Sequence, residues 1–144
     1  MDKKKVIFIC TGNACRSQMA EGLLRHIAGD KFEVYSAGSH PSQLHPASVA
    51  VMAEWGIDIA HHTAEPIDDY LDTGMNIAIT VCDNAQQSCP TFPDVVEQIH
   101  WSLDDPYHGW GADSEDLPPY RKTRDDLKDR IKVFLTEQNK KVKG

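Results

Sequence analysis

No stretch of this 144-residue sequence stays apolar for long. Val6 to Cys10, behind Met1-Asp-Lys-Lys-Lys, is interrupted at Thr11-Gly12-Asn13. That is well short of the about 20 apolar residues of a spanning helix and of the roughly 7–15-residue core of a signal peptide. No membrane association is expected, and a reducing, cytoplasmic setting is. Positive charge is also scarce: 15 Lys and Arg against 22 Asp and Glu give a net charge of −7. A partner bound through general electrostatics, nucleic acid above all, is therefore not expected, and an anion site must be built locally. Cysteines number only four. In a reducing compartment they read as catalytic or metal-binding groups rather than as a disulfide framework. The seven histidines, His61-His62 included, lack a recognised ligand spacing with those cysteines, so no zinc site is expected.

What is present is the composition of an ordinary globular chain, 40% apolar and 26% charged, without repeats or low-complexity linkers. Its length suits one domain spanning residues 1–144. Strand and helix patterns alternate. Lys5 to Ile9 is a β-branched and aromatic run suited to burial on both faces, and Phe32 to Ala37, Asn76 to Val81 and Gln98 to Trp101 are further strands. Ser17 to Ala28 reads as a helix with Met19, Leu23 and Ile27 as its inner stripe and Gly29 at its end. Ala47 to Trp55 follows Pro46 at a helix start and stops at Gly56, with Val49, Met52 and Ala53 inward. From about Tyr120 to Gln138 a last helix aligns Tyr120, Leu127, Ile131 and Phe134. The alternation predicts an α/β fold: a single domain with a four-stranded, mainly parallel sheet and helices on both faces.

Chemistry concentrates at Cys10-Thr11-Gly12-Asn13-Ala14-Cys15-Arg16-Ser17, which joins a buried strand to a helix and so sits at the carboxyl edge of the sheet. Five residues between Cys10 and Arg16 can curl so that successive N–H groups and the helix N-terminus face one centre, a cradle for a tetrahedral oxyanion. Arg16 can fork onto two of its oxygens, and the same positive field favours the thiolate of Cys10, the expected nucleophile. Gly12 is expected to supply the tight turn, Asn13 to brace the loop, and Ser17 either to hold the thiolate or to cap the helix.

A Cys-x5-Arg-Ser loop after a first strand resembles that of the low-molecular-weight protein tyrosine phosphatase superfamily, and the resemblance covers nearly the whole chain in element order. It implies that fold, and a general acid on a late loop carrying Asp-Pro, for which Asp105-Pro106 is the match. Thiolate attack on an oxyanion needs such an acid, because the departing oxygen leaves better when protonated. Tyr107 and Trp110 beside it are either loop packing or an aromatic wall.

Cys82 follows the buried strand Asn76 to Val81 and should lie near Cys10, with Cys89 beyond it. A phosphatase needs one nucleophilic cysteine, whereas a reductase needs two electrons, which a dithiol supplies by becoming a disulfide. Gln18 to Gly22, Val81-Cys82 and Cys89-Pro90 resemble the thioredoxin-coupled arsenate reductase branch. That resemblance implies a relay in which Cys10 attacks arsenate, Cys82 attacks Cys10 to release arsenite, and Cys89 attacks Cys82. The resulting Cys82–Cys89 disulfide would be reduced by thioredoxin, with phosphate and sulfate as competing oxyanions. On one regular helix the two thiols would be about 10 Å apart along the axis, beyond the ~4.4–6.8 Å between Cα atoms that a disulfide tolerates. The segment Asp83 to Ser88 is therefore expected to be looped, or to loop out on oxidation.

Cys15 is either structural or a partner that shields Cys10 from overoxidation, as the wider family implies. Asn13, Glu21, Ser36 and Thr63, with Glu65 where a shorter Asp is usual, stand where some reductases of this branch hold a potassium ion. The alternative for them is ordinary bracing of the loop. No tightly bound cofactor is expected, and nothing requires more than a monomer. Two rival functions remain: a small tyrosine phosphatase using Cys10, Arg16 and Asp105, and a non-catalytic thiol sensor or metal-binding protein using the four cysteines.

Overall fold

A computed structural model describes residues 3–81, 92, 95 and 97–143. Cys82, Cys89 and the segment between them, on which the relay was placed, lie outside the described residues. Four strands, β1 (Lys4–Cys10), β2 (Phe32–Gly38), β3 (Ile77–Thr80) and β4 (Glu97–His100), form a sheet in the order β2-β1-β3-β4 with every pairing parallel. β1 has a neighbour on either side: Val6 lies opposite Val34 and opposite Ile77. It is also covered on both faces, with Val6 to Ile9 fully buried. That double covering is why its sequence is a continuous apolar run instead of an alternating one.

The two faces differ in what covers them. Helices α1 (Arg16–Ala28), α2 (Pro46–Ala53) and α3 (Pro118–Lys143) pack on the face carrying Val6 and Phe8, through Leu23, Leu24, Val51, Met52, Leu127 and Ile131. The face carrying Ile7, Ile9 and Ala78 is covered, among the described residues, by Met75, Phe92 and a short 3-10 helix, Ile67–Tyr70. That helix was not anticipated, because Pro66-Ile67-Asp68-Asp69-Tyr70 is too short to show helical periodicity.

Two inner faces need correction. Ile27, assigned to the inner stripe of α1, is 42% exposed, while Ala20, Leu24 and Ala28 are buried. The stripe runs along Met19–Leu23 and Ala20–Leu24–Ala28, two adjacent rows one residue over. α2 buries Ala47, Ser48, Val51 and Met52, leaving Val49 partly covered and Ala53 exposed. It also ends at Ala53, where Trp55 N–H turns back to Met52 O and Gly56, at φ 74°, reverses the chain. α3 buries Tyr120, Leu127, Ile131 and Phe134 as expected, and begins earlier, with Pro118 and Pro119 in its first turn.

Leu23→Ala is expected to cost about 2–5 kcal/mol by emptying a buried site, whereas Ile27→Glu should change stability by less than about 1 kcal/mol. Urea denaturation of the two variants checks this, and equal losses would place Ile27 in the core.

Candidate active site

The end of β1 delivers Cys10 to the carboxyl edge of the sheet, beside Gly38 of β2 in the pairing register. A neighbouring segment then shapes the loop that follows. His40 N–H donates to Thr11 O (2.9 Å), Ser42 N–H to Gly12 O (3.0 Å) and His45 N–H to Ala14 O (3.1 Å). These contacts turn the loop carbonyls outward, and a trans peptide sets the next N–H on the opposite side. Accordingly the Asn13 N–H, which follows the Gly12 carbonyl, donates to Cys10 Sγ at 3.2 Å. Gly38 permits this closeness: a Cβ there would sit 2.6 Å from Thr11 O and 2.9 Å from Asn13 N.

The left-handed turn expected at Gly12 is instead at Asn13, with φ 50°. Asn is one of the few non-glycine residues that tolerates this region. Asn13 is fully buried, and its amide donates to Ser17 Oγ (2.7 Å) and Ser36 Oγ (3.0 Å). Its Oδ1 accepts from Glu65 N–H (2.8 Å) and from Gln18 Nε2 (3.1 Å). Ser17 faces Cys10 rather than capping the helix: its Oγ is 2.9 Å from Cys10 Sγ. The N-cap position of α1 is Cys15, without a side-chain cap.

Arg16 is buried, with Nη1 on Leu103 O at 3.0 Å and Nη2 3.8 Å from Asp105 Oδ2. The guanidinium is therefore held from the β4 side, aimed before any anion arrives. Asp105 is half-exposed and accepts from Tyr107 N–H at 3.0 Å, a local turn that fixes its carboxylate at the pocket mouth. Cys10, Cys15, Arg16, His45, Asp105, Tyr107 and Trp110 line one pocket of about 130 Å³. That is far below the roughly 300 Å³ of a drug-sized site and suits a small inorganic ion. Tyr107 and Trp110 thus form a wall of the pocket, their rings 5.4 Å apart. A larger groove of about 420 Å³ between β4 and α3, lined by Ile99, Trp101, Val133 and Phe134, carries no nucleophile.

Cys15 is a different thiol from Cys10. Burial pushes its pKa up to about 12. At neutral pH it is a protonated thiol and a poor nucleophile.

The five residues tied to potassium spend their polar groups on protein partners. Ser36 Oγ donates to Glu21 Oε1 (2.5 Å), and Glu21 Oε2 accepts from Arg25 Nη2 (2.5 Å), which also reaches Val34 O (2.5 Å). Thr63 donates to Glu65, whose N–H is held by Asn13 Oδ1. Both carboxylate oxygens of Glu21 are thus engaged, and the positive charge beside them is Arg25. His62 completes the group with Nδ1 2.9 Å from Gln18 Oε1 and Nε2 3.2 Å from Arg25 Nη1. Burial holds its pKa below the usual histidine value, which suits a neutral ring accepting from the guanidinium. The donor set fits a hydrogen-bonded brace ending on an arginine better than it fits a cation.

His45, Arg25 and the Leu103 carbonyl were not singled out from sequence, and Gln18 entered only as part of the Gln18 to Gly22 resemblance. A backbone carbonyl leaves no trace in residue type, and His is an uncommon helix cap. The His45-Pro46 step at a helix start was the one available signal.

Residues 5–144 match the family model for low molecular weight phosphotyrosine protein phosphatase. The chain belongs to that family. Among its relatives it is 42% identical to an arsenate reductase of Halalkalibacterium halodurans over 134 residues, 93% of this chain and 96% of that one. An arsenate reductase solved in the phosphate binding state superposes with a TM-score of 0.79 at 33% identity, covering 93% of this chain and 98% of the other. The thioredoxin-dependent arsenate reductase of Corynebacterium glutamicum superposes with a TM-score of 0.72 at 28% identity, over 94% of this chain and 61% of that one. The all-parallel sheet and loop of this family member agree with the fold expected from its sequence.

Two outcomes are expected. Iodoacetamide at pH 8 should leave Cys15 unmodified in the native protein, as read by peptide mass spectrometry, and rapid labelling there would contradict its burial as a protonated thiol. Replacing potassium by sodium at fixed ionic strength should leave kcat/KM within about twofold, since Arg25 already neutralises Glu21; a larger drop would restore the ion site.

Proposed function

We propose that this chain reduces arsenate to arsenite, with the oxyanion seated in the Cys10–Ser17 loop and phosphate and sulfate competing for the same seat. The observation that carries this is the 42% identity, over 93% of the chain, with an arsenate reductase. The nucleophile loop and Arg16 supply a site of matching chemistry.

The reaction balances with the chain's own groups. The Cys10 thiolate attacks arsenic(V) and forms an S–As bond while an arsenate oxygen departs as water, its proton supplied by Asp105. Arg16 and the loop N–H groups hold the remaining oxygens and offset their charge. The Cys82 thiolate then attacks Cys10 Sγ, the S–As bond breaks, and its electron pair leaves on arsenic, now arsenic(III). Cys89 attacks Cys82, frees Cys10 as a thiolate and leaves a Cys82–Cys89 disulfide, which an external dithiol of the thioredoxin class reduces. The residues act within a monomer in a reducing compartment. No step passes through a metal ion.

A second reading, hydrolysis of phosphate monoesters by Cys10, Arg16 and Asp105, is favoured by the pocket wall of Tyr107 and Trp110. Anaerobic incubation of the reduced protein with arsenate, followed by alkylation and peptide mass spectrometry, is expected to show Cys82 and Cys89 lost together. Cys82→Ser is expected to reduce arsenate turnover by at least about 10³-fold while sparing any phosphate-ester hydrolysis. Retention of all four thiols would exclude the reductase and leave the phosphatase.

A further inference from the structure

His45 is fully buried at the meeting point of three segments. Its backbone N–H holds Ala14 O of the anion loop at 3.1 Å. Its Nδ1 accepts from Ala47 N–H at 3.0 Å and so caps α2. Its Nε2 lies 2.7 Å from Gly109 O and 3.1 Å from the Tyr120 hydroxyl. Because Nδ1 must accept, the neutral ring carries its proton on Nε2, and that proton is donated to Gly109 O.

The ring also anchors the loop that follows Asp105. Trp110 stacks on it at 4.8 Å and 14°, and Tyr107 meets it edge-on at 5.9 Å. Gly109 has φ 126°, a left-handed conformation that leaves its carbonyl turned to the imidazole. Tyr120, from α3, backs the ring at 4.9 Å. One residue therefore touches both loops, its backbone N–H holding the loop of Cys10 and its ring holding the loop of Asp105.

We propose that His45 is a positioning residue: it sets the height of the Asp105 carboxyl over the anion seat by gripping the Asp105–Trp110 loop at Gly109 and Trp110. The proposal rests on the reading of Asp105 as the proton donor to the departing oxygen. A carboxyl displaced by an ångström at that position costs on the order of 10²-fold in rate, because proton transfer needs hydrogen-bond distance.

The test is a double-mutant cycle on the full-length chain. His45→Asn keeps an N-cap oxygen for Ala47 but is too short to reach Gly109, and His45→Gln restores a donor on a longer arm. In H45N, kcat/KM for arsenate should fall about tenfold or more while the inhibition constant of phosphate stays within about twofold. H45Q should recover part of the loss, and H45N should add nothing on top of Asp105→Asn. A purely structural role would instead weaken phosphate binding in parallel. D105N with unchanged kcat/KM overturns the role of Asp105 and that of His45 together. A slow D105N beside a fast H45N, or losses that multiply, overturns His45 alone. If H45N does not fold, nitrogen-15 NMR of the wild-type imidazole decides: a neutral ring protonated on Nε2 supports the tie, and an Nδ1-protonated or doubly protonated ring overturns it.

Discussion

The buried amide of Asn13 is the constraint on which the rest of the site depends. A loop that aims its N–H groups inward has no regular ladder to hold it, so its shape must come from side chains. Asn13 places both its donors and its acceptor on three different parts of the chain: Ser17 and Gln18 of α1, Ser36 of β2, and the Glu65 backbone. Each partner is itself buried or braced, and an unpaired polar group in that place would cost about 1–3 kcal/mol. The left-handed backbone at Asn13 is strained for most side chains and persists because this network over-determines it.

An acidic protein that seats an anion must separate its local field from its global one. Here the separation is geometric. Residues of the loop and Arg16, at the start of α1, line one small pocket, and the Asn13 N–H points to Cys10 Sγ there. The acidic groups are distributed elsewhere or paired: Glu21 with Arg25, and Glu54 with Arg121 and Arg124, which hold its pKa down to about 2. At physiological ionic strength the surface excess is screened within about 8 Å, whereas the buried cradle is screened much less.

Much of this was legible in the residues because the strongest signals are local. The apolar run of β1, the loop from Cys10 to Ser17 and the stripe of α3 each depend on neighbours in sequence, and each lies where expected. What was not legible depends on partners far away in the chain. Gly22 of α1 lies against Met52 and Ile59, with no room for a Cβ, a fit that helical period alone does not encode. Arg25, a surface residue by type, meets His62 across 37 positions of sequence. The Leu103 carbonyl orients Arg16 across 87 positions of sequence.

That spread of contributors ties ligand binding to folding itself. The seat draws on β1, α1, β2, the segment before α2 and the loop after β4, so it exists only when the parallel sheet has closed. Unfolded or half-assembled chains offer no comparable cradle. Any oxyanion that occupies it therefore stabilises the folded state by mass action, by about 2.7 kcal/mol at a hundredfold excess over its Kd. An oxyanion seated there would act on this chain as a folding ligand.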